Sequence, residues 1–247
     1  MRILGEKVEA VIFDKDGTLI DMDSMWLPWA EDIFQYMKKG LPDDLLHYEG
    51  FRFAIGIKKE TGETDPKGPL AIGSMIESEV IVATKLYEWG IPWDAAVVHA
   101  KEGVHYANEV QNNSVSIRSV AGVENVLQKL KAEQIPIGVL TADDTDKAHQ
   151  HLRKLGIHHF FDFVIGSDLV ENGKPYPDMA YLASEKYGVP LSATMMIGDT
   201  NADMELGKRA GMKVRVGITP SENEVDHLHE ADHIIYHYDE LTITPDE

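Results

Sequence analysis

The chain has 247 residues, 43% of them hydrophobic, and a formal net charge of −19. That is ample material for a core, and the acidity argues against nucleic acid, whose phosphate backbone demands a basic surface. No cysteine is present, which excludes disulfides and thiolate metal sites and fits a reducing compartment.

From the N-terminus, Met1 to Ala10 carries scattered charges and no apolar leader, and nowhere does an uninterrupted apolar span reach membrane length. The expectation is a soluble cytoplasmic protein with no membrane partner. A first apolar run, Val8 to Phe13, meets the turn D-K-D-G-T. Residues 21–116 then show no strand-helix alternation and read as helical. Met25 to Lys39 places Trp26, Trp29, Ile33, Phe34 and Met37 at helical spacing, and Gly73 to Trp89 and Asp94 to Val110 continue the pattern. Between them, Glu60 to Pro69 is rich in breakers and reads as a loop.

Beyond residue 117 the pattern changes. Helical spacing over Val123 to Glu133, Thr145 to Leu155, Asp178 to Tyr187 and Ala202 to Ala210 alternates with apolar runs. Those runs are Ile135 to Leu140, Phe161 to Ile165, Thr194 to Ile197, Val214 to Val216 and His233 to Tyr236. Gly156, Gly188 and Gly211 supply stop signals for three of the helices. Alternation of this kind predicts an α/β fold, with right-handed crossovers and a mainly parallel sheet covered on both faces.

In an open parallel sheet, ligands gather outside the carboxyl ends of the strands. The first strand presents Asp14 and Asp16 there, like charges that raise each other's pKa unless a cation or proton relieves them. The second, I-P-I-G-V-L-T-A-D-D, gives Thr141 and a short acidic turn. After the third comes G-K-P-Y-P-D-M with Lys174, and the fourth, M-M-I-G-D-T-N-A-D-M, gives Asp199 and Asp203. Facing carboxylates need a cation, and a few hard oxygen ligands suit Mg²⁺. An ionised aspartate can attack phosphorus, and a second carboxyl can protonate the leaving oxygen and later activate water. Lysine and hydroxyl donors offset charge on a transferring phosphoryl group. The set describes phosphoryl transfer involving a small phosphorylated partner, which feels the local site more than the net charge.

The stretches D-K-D-G-T, L-T-A, G-K-P and G-D-T-N-A-D, in order from Asp14 to Asp203, resemble the four motifs of the haloacid dehalogenase-like (HAD) hydrolases. The resemblance implies a Rossmann-like α/β core of residues 1–20 and 117–247. Residues 21–116 would be an inserted helical C1 cap, as in phosphoglycolate phosphatase-like members, closing over the site and selecting the leaving group. It implies that Asp14 is the nucleophile, Asp16 the general acid/base, and Thr141, Ala142 and Lys174 the phosphate binders. Mg²⁺ would be held by Asp14, the Asp16 backbone carbonyl and Asp199. Asp203 would support them, orienting Lys174 or reaching the metal through water.

The family's dehalogenases lack the second aspartate and its phosphonatases replace it, so Asp16 favours phosphate esters. Its sugar phosphomutases usually carry a Glu-Asp pair where this chain has Gly198-Asp199-Thr200. The implied activity is Mg²⁺-dependent hydrolysis of a small phosphoester, of phosphoglycolate or sugar-phosphate type, through an aspartyl-phosphate. The chain would act as a monomer or homodimer. The alternatives are a sugar phosphomutase and a phosphate-binding regulatory module with little turnover.

Other residues are read more plainly. Lys15 departs from the apolar or aromatic residue often found between the two aspartates, and is expected to keep its head in water. Arg52, Lys58 and Lys59 are the candidates for substrate contact from the helical insertion, with Trp26 near its hinge. The plainer expectation for Lys58 and Lys59 is a solvated face, and for Trp26 the insertion's own core. His227, His229, His233 and His237 are expected to be surface residues rather than a metal cluster, lacking a paired helical spacing with a third ligand. His158 and His159 lead into a strand, and Asp178 is expected to cap a helix N-terminus.

Overall fold

The computed structural model describes residues 1–39, 41, 47–113, 117–220 and 225–245. Two compact units partition the chain: Met1–Asp21 with Arg118–Glu247, and Met22–Ile117. The expected boundary at residue 116 lies outside the described residues.

The first unit is built on a six-stranded parallel sheet among the described residues. Its strands are β3 (Ala10–Phe13), β4 (Ile137–Leu140), β5 (Phe163–Ile165), β6 (Thr194–Gly198), β7 (Val214–Ile218) and β8 (His233–Ile235). They lie in the order β5-β4-β3-β6-β7-β8. A strand covered on both faces reads as a continuous apolar run, and Ala10–Phe13, Ile137–Leu140 and Thr194–Gly198 are buried at every position. Helices α6 (Val123–Ala132), α7 (Thr145–Lys154), α8 (Asp178–Tyr187) and α9 (Asn201–Arg209) connect the strands. Met179, Ala180 and Ala183 of α8 and Leu206 of α9 close a core with Ile12, Phe163 and Met196. Each large apolar side chain buried there contributes about 1.5–3 kcal/mol.

The strand order places the site. From β3 the chain runs outward through β4 and β5, then returns to the other flank of β3 as β6 and continues through β7 and β8. β3 and its neighbours therefore form the point where the winding reverses, the place a doubly wound sheet opens a crevice at its carboxyl edge.

A second sheet, β2-β1-β9, pairs Arg2–Ile3 (β1) with Glu6–Lys7 (β2) and Ile243–Thr244 (β9), all antiparallel. The sequence does not announce it, because a two-residue strand carries no periodicity. Several expected runs are also shorter in the fold: β3 begins at Ala10 rather than Val8, and β4 at Ile137 rather than Ile135.

The second unit consists of helices α1 (Met22–Lys38), α2 (Tyr48–Ala54), α3 (Pro69–Ile72), α4 (Met75–Glu88) and α5 (Trp93–Asn113), with α5 packed on both α1 and α4. Ser74 starts α4 with a capping box, its hydroxyl accepting from the Glu77 N–H while the Glu77 carboxylate accepts from the Ser74 N–H. Trp29 Nε1 donates to Asn108 Oδ1 at 2.9 Å, joining α1 to α5. The breaker-rich loop is tied down where Asp23 Oδ1 accepts from the Thr64 N–H at 2.9 Å and its hydroxyl at 2.6 Å. Among the described residues, no helix is long and apolar enough to cross a membrane.

Candidate active site

Asp14 is the first residue past β3, and its N–H donates to the Ile197 carbonyl at 2.8 Å, prolonging the β3–β6 ladder by one rung. That rung fixes Asp14 beside the end of β6, where Asp199 follows. Lys174 comes from the segment after β5 and is ion-paired with both Asp14 and, at 2.6 Å, Asp203. Asp203 sits in the first turn of α9. Its Oδ2 accepts from the Thr200 N–H at 3.1 Å and the Thr200 hydroxyl at 2.6 Å, which leaves Oδ1 for Lys174. Asp199 Oδ1 receives the Thr18 hydroxyl at 3.3 Å. Asp14, Asp199 and Asp203 are all buried, each offering an oxygen within 4.8 Å of the others.

Small residues make this approach possible. Gly17 has φ +78°, and a Cβ there would lie 2.0 Å from Asp199 Oδ2, so the position excludes side chains on both backbone and space. At Gly198 a Cβ would sit 2.4 Å from that of Asp203.

Charge within the group is unbalanced: three carboxylates face one ammonium. Burial, with Asp203 and Asp16 adding to it, pushes the Asp14 carboxyl up to about 7 against the pull of Lys174. Burial raises Asp199 well above the carboxylate range, and Asp14 and Asp203 push the same way. Lys174 is held above its ordinary value, because Asp14 and Asp203 outweigh its own desolvation. Buried carboxyl groups whose ionisation is held back for want of positive charge fit a hard divalent cation, which would restore it.

On the neighbouring strand, Thr141 is buried just past β4, its N–H donating to the Ile165 carbonyl at 3.0 Å and its hydroxyl accepting from the Asp143 N–H at 3.2 Å. The Ala142 carbonyl accepts from Ser167 Oγ at 2.8 Å. The next residue corrects an expectation. Lys15, expected in solvent, is completely buried and forms ion pairs with Asp16 at 2.6 Å and Asp143 at 3.0 Å.

Asp143 and His151 complete this second cluster, with His151 Nδ1 3.3 Å from the Lys15 ammonium. Burial, then Lys15, pushes the imidazole down to about 3. It is therefore neutral, so its 3.7 Å approach to Asp143 is no ion pair and Nδ1 accepts from Lys15. Burial works against the Asp143 carboxylate, but the Lys15 ammonium, by charge and hydrogen bond, holds it below its ordinary value. Sequence reasoning missed both residues. The signal for His151 was its place with Ala148 and Leu152 on the buried face of α7.

Two further corrections concern histidine and aspartate. His227 is buried, not at the surface, and donates through Nε2 to the Asp199 backbone carbonyl at 2.9 Å. Asp178 is the first residue of α8 rather than its cap, and its carboxylate accepts from Asn172 Nδ2 at 3.0 Å and the Asn172 N–H at 3.2 Å. His229 and His237 are exposed, and His233 lies on β8.

Within the helical unit, Arg52 donates to the Gly62 carbonyl at 3.1 Å and lies 5.5 Å from the Tyr48 ring centre, so it holds the loop to α2. Lys59 lies over the Phe53 ring at 4.5 Å, and Lys58 is half-buried. Trp26 is buried edge-on to Trp29 at 5.3 Å, part of the unit's core.

The family model for haloacid dehalogenase-like hydrolases matches residues 11–216. A relative named "Probable phosphatase IndB" from Dickeya dadantii is 34% identical over 225 residues, covering 90% of this chain and 86% of its own. The phosphoglycolate phosphatase of Escherichia coli is 27% identical, covering 88% and 84%. A solved structure from Haemophilus somnus, described as a "predicted phosphoglycolate phosphatase", superposes with a TM-score of 0.70 at 21% identity, covering 94% and 95%. At that identity it speaks for the fold alone. Motifs, topology and family match agree: the chain belongs to the haloacid dehalogenase-like hydrolases.

Proposed function

We propose that the chain is a Mg²⁺-dependent phosphomonoesterase acting on a small phosphorylated metabolite, of phosphoglycolate or sugar-phosphate type, through an aspartyl-phosphate on Asp14. The observation that carries the reading is the buried group of Asp14, Asp199 and Asp203 against the single ammonium of Lys174. The name of the relative from Escherichia coli supports the substrate class, and that of the relative from Dickeya dadantii supports phosphatase activity.

Asp14 and Asp199, with the Asp16 backbone carbonyl, would hold the metal, and Asp203 would keep Lys174 in place. When bound, Mg²⁺ would neutralise the excess carboxylate charge and draw electron density from the phosphoryl oxygens. An Asp14 oxygen attacks phosphorus as the ester P–O bond breaks, and the leaving oxygen takes the proton of the Asp16 carboxyl. Water then attacks phosphorus, giving its proton to the Asp16 carboxylate, and the bond to Asp14 breaks to free phosphate. Lys174, the Thr141 hydroxyl and the Ala142 segment offset the phosphoryl charge.

Phosphate release from a panel of small phosphomonoesters, 2-phosphoglycolate and hexose phosphates among them, tests this with and without Mg²⁺, using Asp14→Asn as the blank. The expected result is release that needs both Mg²⁺ and Asp14. Isomerised sugar phosphate without free phosphate would replace the reading with a mutase, and tight phosphate binding without turnover would replace it with a binding module.

A further inference from the structure

An ammonium has three protons to donate, and three groups able to accept lie beside the buried Lys15. They are the Asp16 carboxylate, with oxygens at 2.6 and 2.8 Å, Asp143 Oδ2 at 3.0 Å and His151 Nδ1 at 3.3 Å. The receivers come from the turn after β3, the turn after β4 and the buried face of α7. Asp16 is the member with the most access to solvent, its side chain 15% exposed, while Lys15 and Asp143 are at 0% and 6%.

We infer that Lys15, held from behind by Asp143 and His151, is a positioning residue that fixes the Asp16 carboxylate for proton transfer. Both Asp16 oxygens lie on one ammonium whose own place is set by two further elements, so neither the carboxylate plane nor its distance from Asp14 can drift independently of β4 and α7. A simple packing role does not require this arrangement. A buried ion pair can often be replaced by apolar groups of similar shape without loss of stability, whereas an acid/base group displaced by about 1 Å can lose about a hundredfold in rate.

The inference rests on the proposed role of Asp16. The experiment is a cycle of kcat values for p-nitrophenyl phosphate at saturating Mg²⁺, using the full chain and comparing Lys15→Met with and without Asp16→Asn. Because Lys15→Met alone leaves Asp143 buried without its cation, Lys15→Met/Asp143→Asn is measured in the same two backgrounds, with folding followed by thermal melting. The expected result is a loss of about ten- to a hundredfold in the Asp16 background, little change in KM, and less than about threefold further loss in the Asp16→Asn background. Equal losses in both backgrounds, or a folded double variant with kcat within about twofold of the parent, would overturn the anchor while leaving the role of Asp16 intact. Near-normal turnover by Asp16→Asn alone would overturn the role of Asp16 and the anchor with it.

Discussion

Asp14 and Lys15 are consecutive, yet each begins a different kind of buried charge cluster. Around Asp14, three carboxylates share one ammonium, and burial holds two of them, Asp14 and Asp199, above the usual carboxylate range. Around Lys15 one ammonium meets two carboxylates and an imidazole that, being neutral, adds no charge. The first cluster sets three carboxylates against one ammonium, and the second sets two against one. A buried group left with open valence is suited to take up a cation and a phosphoryl group, and one nearer to charge balance is suited to hold its neighbours still.

The largest effect that would test the contrast is on rate. On the roles proposed for Asp14, Asp14→Asn would remove the attacking oxygen's charge and a metal ligand together, and turnover should fall by about 10⁴-fold or more, read as phosphate release. Near-normal turnover would break the reading of the first cluster. The next effect is on stability. If the Asp14 group takes up Mg²⁺ only when folded, Mg²⁺ at a hundred times its Kd should stabilise the protein by about 2.7 kcal/mol. Thermal melting with and without Mg²⁺ should show this shift in the parent and lose it in Asp199→Asn, while Lys15→Met/Asp143→Asn should keep it. A shift that survived in Asp199→Asn would place the ion elsewhere.

The sequence made one cluster legible and hid most of the other, for a physical reason. Asp14 and Asp199 stand just past strand ends, Lys174 in the segment after β5 and Asp203 in the first turn of the helix after β6, so the rule that parallel sheets collect ligands at that edge gathers them from the sequence. Lys15 follows the same strand, but a long basic side chain normally reaches water. Its burial rests on the adjacent Asp16 together with the distant Asp143 and His151. Elements divide in the same way. Helix α8 spans Asp178–Tyr187 as its spacing predicts and ends at Gly188, in the left-handed region. Helix α2, seven residues long, is too short to establish a period, and it lies beside residues outside the described set.

The second cluster can be tested through pH. The His151 imidazole is pushed down to about 3 from an ordinary 6.5. As pH falls through about 6.5 the unfolded chain takes up a proton there, and the folded chain does not until about 3. Within that window stability should therefore decline with falling pH, by up to about 1.4 kcal/mol per pH unit from this residue. Urea denaturation at pH 6, 5 and 4 should give a shallower decline in His151→Gln than in the parent. An unchanged slope would mean that the imidazole carries a proton in the folded state, and the ammonium would then have lost one of its receivers.

The smallest expected effect tests how the first cluster is supported. The Tyr238 hydroxyl is buried and donates to the Thr18 carbonyl at 2.9 Å, and the Thr18 hydroxyl in turn reaches Asp199. Tyr238→Phe keeps the ring, which lies 6.4 Å from that of Phe13, and leaves one buried carbonyl without its donor. That omission should cost about 1–2 kcal/mol in denaturant unfolding. Because the hydroxyl touches neither the carboxylates nor Lys174, the Mg²⁺-dependent stabilisation should persist in the variant. If Tyr238→Phe instead removed that stabilisation, the backbone at Thr18 would be setting the position of Asp199, and the open valence of the first cluster would depend on this support as much as on its own charges.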